Sequence, residues 1–173
     1  WYTGGGVIAE ADMEKLTAML SPAVDAAERH GVDLVFSQEP WIYTNTTVNF
    51  RRVAERLRSS RVKVMWTPAD NLNCGEPQVE TVGFLNVRPY LHSLHLKNLR
   101  IFDGAKLKFE YRSLADGEVD YTAVLRNLRD FRIDAVLALA THFQPPGGSN
   151  VDAMYRNAAE LQEMIARVEA EGR

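Results

Sequence analysis

Gly31-Val32-Asp33-Leu34-Val35-Phe36-Ser37-Gln38-Glu39-Pro40 is the stretch that decides the fold. A glycine closing a helical segment is followed by an apolar run led by valine and leucine, then by polar residues and a proline. Such a run, bounded by turn chemistry, suits a strand buried on both faces, as in a parallel sheet. Upstream, Leu16, Met19, Leu20, Val24 and Ala27 recur at three- and four-residue steps, so a helix is expected over about residues 11 to 30. Ser21-Pro22 is also a helix-start signal, which leaves open one kinked helix or two. Downstream the cycle repeats. Strands are expected at Val62 to Trp66, Leu91 to Leu96 and Ala135 to Ala140. Helices are expected from Thr47, near Glu80 to Asn86, over Tyr121 to Asp130, and over Val151 to Val168. The last should bury Met154, Tyr155, Ala158, Leu161, Ile165 and Val168. Thr67 to Asn71 reads as a turn, and Asn98 to Asp120 as irregular, with Lys106 to Tyr111 alternating like an extended arm. The opening Trp1-Tyr2-Thr3-Gly4-Gly5-Gly6 reads as a strand end running into a glycine loop, with more chain expected before it.

Strands alternating with amphipathic helices about 30 residues apart indicate parallel α/β architecture. The 173 residues hold four such units and no linker, a single domain. Two forms compete: a doubly wound open sheet, and the C-terminal part of a (β/α)8 TIM barrel, whose full size is about 250 residues. Length favours the first and strand-end chemistry the second. No Gly-x-Gly-x-x-Gly opens a helix and no phosphate-loop lysine motif exists, so neither nucleotide-binding mechanism has support. The chain carries 20 basic and 23 acidic residues, a net charge of −3, without the basic excess of a nucleic-acid partner. Its apolar runs are far short of the roughly 20 residues that span a bilayer. A lone cysteine, Cys74, forms no internal disulfide; a reducing, cytoplasmic location is expected.

Polar residues gather just after each strand: Ser37, Gln38 and Glu39; Thr67, Asp70 and Asn71; His95, Lys97 and Asn98; Thr141 and His142. Strand tips converging on one rim are how barrel enzymes build sites. These segments, with Gly75-Glu76, His92-Ser93-Leu94-His95-Leu96-Lys97-Asn98, Ala115-Asp116-Gly117-Glu118-Val119-Asp120 and Ala140-Thr141-His142-Phe143, resemble the xylose-isomerase-like TIM barrels, the divalent-metal sugar phosphate isomerases and epimerases. The match runs in order along nearly the whole chain. It implies the C-terminal half of a barrel, a sugar or sugar phosphate substrate, and a divalent ion (Mn, Mg, Co or Zn) that stabilises an enediolate while carboxylates move a proton between adjacent carbons.

In that family four strands present Glu, Asp, His and Glu to the metal. Aligned on these motifs, this sequence keeps His95 and has Ser37, Thr67 and Ala140 at the other positions, with Asn98 where the family has an aspartate. Strand residues two apart share a face, which brings Glu39 and His142 to the side of Ser37 and Ala140, and Asp70, three beyond Thr67, lies in a turn that brings it inward. A shifted metal set of Glu39, Asp70, His95 and His142 is expected, with Glu39 also the acid–base residue. Lys97, Trp41 and Trp66 are the expected substrate contacts, Lys97 through an oxygen or phosphate and the tryptophans by stacking. His92 faces away from His95; Asp120 reads as a helix N-cap; the arginines at 51, 52, 56, 58 and 61 read as a solvated helix face.

Two functions follow: a metal-dependent sugar isomerase or epimerase, or a non-catalytic homologue that binds a sugar, a polyol or a protein partner. Dehydratases and abasic-site endonucleases share the architecture; the acidic balance argues against the nuclease. Four units leave two unpaired strand edges, so an upstream barrel half, or self-association through those edges, is expected.

Overall fold

The computed structural model describes residues 6–103 and 108–172. The opening glycine loop before Gly6, and residues 106 and 107 of the expected arm, lie outside the described residues. Helix α1 (Glu10–His30) is one continuous helix with Pro22 inside it. Ser21 does not cap a second helix; its hydroxyl donates to the Thr17 carbonyl at 2.8 Å, in the previous turn. Gly31 takes a left-handed φ of 66° and ends the helix, its N–H reaching the carbonyls of Ala27 and Glu28. After strand β1 (Leu34–Ser37), helix α2 (Thr47–Leu57) starts at Thr46, whose hydroxyl accepts from the Asn49 N–H.

Strand β2 (Val62–Trp66) runs into a short helix α3 (Pro68–Asn73). A turn was expected here, but Pro68 sits at the first helical position, where its missing N–H costs nothing. A π-helical turn (Val79–Gly83), helix α4 (Phe84–Val87) and a 3-10 turn (Arg88–Tyr90) lead to strand β3 (Leu91–Leu96). The stretch read as irregular contains an antiparallel hairpin, β4 (Asn98–Asp103) and β5 (Lys108–Arg112). Helix α5 (Tyr121–Asp130) is capped by Asp120, which accepts from the Ala123 N–H at 3.0 Å. Strand β6 (Val136–Leu139) precedes helix α6 (Asn150–Glu171), which opens with a reciprocal capping box between Ser149 and Asp152.

Four strands form one parallel sheet in the order β1-β2-β3-β6, and the hairpin stands apart from it. Register sets Ser37 beside Met65, Met65 beside Ser93, Ser93 beside Val136, and His95 beside Ala138. Alternation then divides the sheet into two faces. Val62, Val64, Trp66, Leu94 and Leu96 are buried in the main core with Phe50, Phe84, Val124 and Leu128 of the helices. The opposite face carries Ser37, Met65, Ser93 and His95, and at its edges Val35 and Val136 remain 39% and 61% exposed. Each fully buried large side chain of the core contributes roughly 1.5–3 kcal/mol.

Helix α6 is rotated from the expected stripe. Met154 and Tyr155 are 56% and 75% exposed, while Ala153, Asn157, Leu161, Met164 and Val168 are buried. Asn157 explains the rotation: its side chain accepts from the Leu114 N–H and donates to the Thr141 hydroxyl, both at 3.0 Å. Two polar groups of neighbouring loops demand a partner, and that demand outranks the apolar pattern at the start of the helix. Among the described residues no helix is long and apolar enough to cross a membrane.

Candidate functional site

The carboxyl ends of the strands carry a buried ion pair. Lys97, two residues beyond His95 and so on the same face as it, places its Nζ 2.8 Å from Oδ2 of Asp70, in the first turn of α3. The two side chains are 5% and 2% exposed. Burial pushes the Asp70 carboxyl up to about 6 against the pull of the Lys97 ammonium, with the charge of Glu39 adding to the rise. His95 is held below its ordinary value by burial, then by Lys97, and His142 likewise. The Tyr111 hydroxyl is raised by burial, with Lys97 opposing and Asp70 and Glu39 adding. The charges of Lys97 and Glu39 thus both act on Asp70, His95, Tyr111 and His142. Direct contacts at these strand ends join Lys97 to Asp70 and to the Tyr111 ring, and the Tyr111 ring to that of His142.

Tyr111 comes from β5 of the hairpin. Its ring lies 4.9 Å from that of His142 and 5.3 Å, edge to face, from Phe109, with Lys97 Nζ 6.0 Å from its centre. Around this wall several buried polar atoms lack a hydrogen-bond partner among the described residues: His95 Nδ1, Thr67 Oγ1 and Gln38 Oε1. Thr67 precedes α3 yet makes no side-chain cap to it. It lies one residue beyond the paired Trp66 and Leu94, beside His95 across the β2–β3 ladder.

The donor set does not fit a divalent ion. Ser37, Thr67 and Ala140 bring no carboxylate to the strand ends, and Asp70 is engaged by the Lys97 ammonium. Among the described residues no group of three or more His, Cys, Asp or Glu side chains is placed to hold a metal ion. Magnesium, calcium and manganese require several oxygen ligands, which this face does not supply.

Two residues of the family motifs have structural work instead. Asn98 donates to the carbonyls of Leu114 and Val119, and its Oδ1 accepts from the N–H groups of Leu99 and Val119. An aspartate could not make the two donations. The loop closes so tightly over it that a Cβ on Gly117 would fall 2.1 Å from Asn98 Cγ. Glu76 accepts from the Thr47 N–H at 2.8 Å and from the Thr47 hydroxyl, closing the N-terminus of α2. Glu118 accepts from the Ile101 N–H at 2.6 Å and so ties the same loop to β4.

Trp66 is not a substrate contact. It is fully buried, donates from Nε1 to Asn71 Oδ1 at 2.8 Å and packs on Phe84. Its place in the alternation, with Val62 and Val64, turns it toward the helices, a parity readable from the sequence. Trp41 is 51% exposed in the loop after β1, and His92 is exposed. The arginines 51, 52, 56 and 61 pair with Glu55, Glu10, Glu14 and Asp33 on the surface. Cys74 is an inert thiol, pushed up to about 12 by burial and then by Asp70 and Glu76. A separate cavity of about 320 Å³ between α5 and α6 holds none of the mouth residues. Sequence reasoning missed Tyr111; the alternation of its strand was visible, but not that the strand folds back over the rim.

Comparison with known proteins agrees with this architecture. The model of the family described as xylose isomerase-like TIM barrel matches residues 2–169. No curated protein matches. Among solved structures, L-ribulose 3-epimerase superposes with a TM-score of 0.74 at 12% identity, over 96% of this chain and 58% of its own. A xylose isomerase-like TIM barrel protein from Mycobacterium smegmatis in complex with magnesium gives 0.68 at 17% identity, over 97% of this chain and 55% of that one. D-psicose 3-epimerase, solved in the presence of D-fructose, gives 0.58 at 16%, over 97% and 58%. The chain therefore spans just over half the length of these barrels, and its four parallel strands are a partial barrel.

Proposed function

The chain belongs to the xylose isomerase-like TIM barrel family, and from that premise we propose that it binds a small sugar or sugar phosphate at the carboxyl-end mouth of its strands, without a resident divalent metal. The Lys97–Asp70 ion pair carries this reading. It puts a fixed positive charge in the mouth and occupies the carboxylate that a shifted metal set would need. The remaining polar groups suit hydroxyls. The imidazoles of His95 and His142, both lowered toward the neutral form, each offer one donor and one acceptor. Glu39 supplies a carboxylate beside them, the one left for proton transfer should the bound sugar turn over.

Sugar epimerases among the structural neighbours support the ligand class. Thermal unfolding of the full chain tests it. D-fructose or D-fructose 6-phosphate should raise the midpoint, with or without chelator, while saturating Mg²⁺, Mn²⁺ or Zn²⁺ leaves it unchanged. Stoichiometric Mn²⁺ uptake that disappears in His95→Ala would instead establish the metal-dependent isomerase or epimerase. The proposal extends to the edges: β1 and β6 close the order at either side, and an upstream barrel half or a second copy of the chain would pair there.

A further inference from the structure

We propose that the β4–β5 hairpin forms the ligand-stacking wall of the mouth, with the Tyr111 ring, braced by Phe109 and His142, lying against the C–H face of a sugar whose hydroxyls satisfy His95 Nδ1 and Thr67 Oγ1. This rests on the sugar-binding reading and adds the element that orients the ligand.

The geometry supplies both halves of a carbohydrate site. On one side the rings of Phe109, Tyr111 and His142 are in successive contact at 5.3 and 4.9 Å, and they come from two chain segments, β5 and the loop after β6. A pyranose or open-chain ketose presents a strip of C–H groups that packs on such rings, while its hydroxyls point away. On the other side, neighbouring strands bring together two buried polar atoms with no partner among the described residues, His95 Nδ1 and Thr67 Oγ1. A buried acceptor or donor left unmade is expensive, and such groups in a native protein are normally met by a partner. A sugar hydroxyl both donates and accepts, so it can serve either atom. Lys97 links the wall to Asp70, its Nζ 6.0 Å from the centre of the Tyr111 ring and 2.8 Å from the Asp70 carboxylate. The hairpin therefore acts as a platform held over the sheet. Exposed Phe102 belongs to the same arm but lies over Arg112, away from the wall.

D-fructose titrated into the full chain, followed by the imidazole resonances of His95 and His142, tests the wall. Wild type should show saturable shifts of both rings. Tyr111→Leu, which keeps bulk and removes the ring, should weaken binding about five- to tenfold, the range of an aromatic contact. Tyr111→Phe should stay within about twofold, because the face and not the hydroxyl carries the contact. Thr67→Val should weaken binding with the fold intact. Equal affinity in wild type and Tyr111→Leu overturns the wall and leaves the sugar-binding reading standing. Equal losses in Tyr111→Phe and Tyr111→Leu overturn stacking in favour of the hydroxyl. No shift in wild type with D-fructose or D-fructose 6-phosphate sinks the sugar-binding reading, and the wall with it.

Discussion

The loop around Asn98 and the mouth around His95 sit three residues apart in sequence and treat buried polarity in opposite ways. Asn98 makes two donations and accepts two N–H groups, with every partner supplied by the chain itself. Thr67 is fully buried and His95 half-buried, and the buried atoms Thr67 Oγ1 and His95 Nδ1 have no such partners among the described residues. Complete satisfaction marks a structural role: Asn98 builds the loop from Leu114 to Val119 and requires glycine at position 117 to do so. Incomplete satisfaction at His95 and Thr67, beside Lys97, Tyr111 and His142, is the feature on which the proposed sugar site rests. The Lys97–Asp70 pair stands between these cases, paired but buried.

Substitutions can break that contrast. The largest effect is expected from Lys97→Met, which strands the Asp70 carboxylate in the interior; equilibrium denaturation should show a loss of about 3–5 kcal/mol. Restoring stability by adding Asp70→Leu to that variant would confirm that the loss comes from the orphaned charge. Asn98→Asp should come next. It forfeits both donations and sets a carboxylate against the Leu114 and Val119 carbonyls, at about 2–3 kcal/mol by chemical denaturation. An unchanged midpoint would show that the loop does not depend on this residue.

The pH profile sharpens the middle case. Asp70 holds its proton to about pH 6 in the folded chain and to about 3.8 when unfolded. Between these values the native state binds the extra proton, so this group's contribution falls as pH rises from about 4 through 6 and is level above. Its size is on the order of 3 kcal/mol. In Asp70→Asn the absolute stability drops because Lys97 loses its partner, yet the slope within that window should vanish. In Lys97→Met the ammonium no longer opposes the rise, so the decline should continue above pH 6. A profile identical in all three proteins would remove Asp70 as its source.

The smallest effect is expected at the unsatisfied end. Thr67→Val removes a buried hydroxyl that has no partner among the described residues, so stability should change by less than about 0.5 kcal/mol or rise slightly. A loss comparable to that of Asn98→Asp would mean that the hydroxyl has a structural role and that the two regions are not different in kind.

Much of this molecule was legible before any coordinates. Valine- and leucine-led runs separated by helical periodicity specify parallel strands, Gly31 specifies a helix end, and Asp120 specifies a helix start, because each depends on residues within one or two turns. The motif residues Ser37, Thr67, His95 and Thr141 stand at or just beyond the ends of β1, β2, β3 and β6, which are neighbours in one sheet. Legibility failed where a residue's fate depends on a distant partner. Trp66 stands beside the rim in sequence but is turned inward, and Met154 and Tyr155 fit a stripe that Asn157 displaces. Tyr111 pairs with Leu99 of β4, a partner twelve residues away in sequence. Asp70 was placed in a metal set, whereas the tertiary fold delivers an ammonium to it.

The sequence by itself determined the four strands of the parallel sheet, the long helices between them and the residues that follow each strand, since hydrophobic periodicity and capping are local properties of the chain. Only the tertiary structure decided that the mouth holds a lysine–aspartate pair, an aromatic arm and unsatisfied polar atoms. Desolvation and long-range hydrogen bonding are set by what surrounds a group in space, and no window of neighbouring residues contains that information.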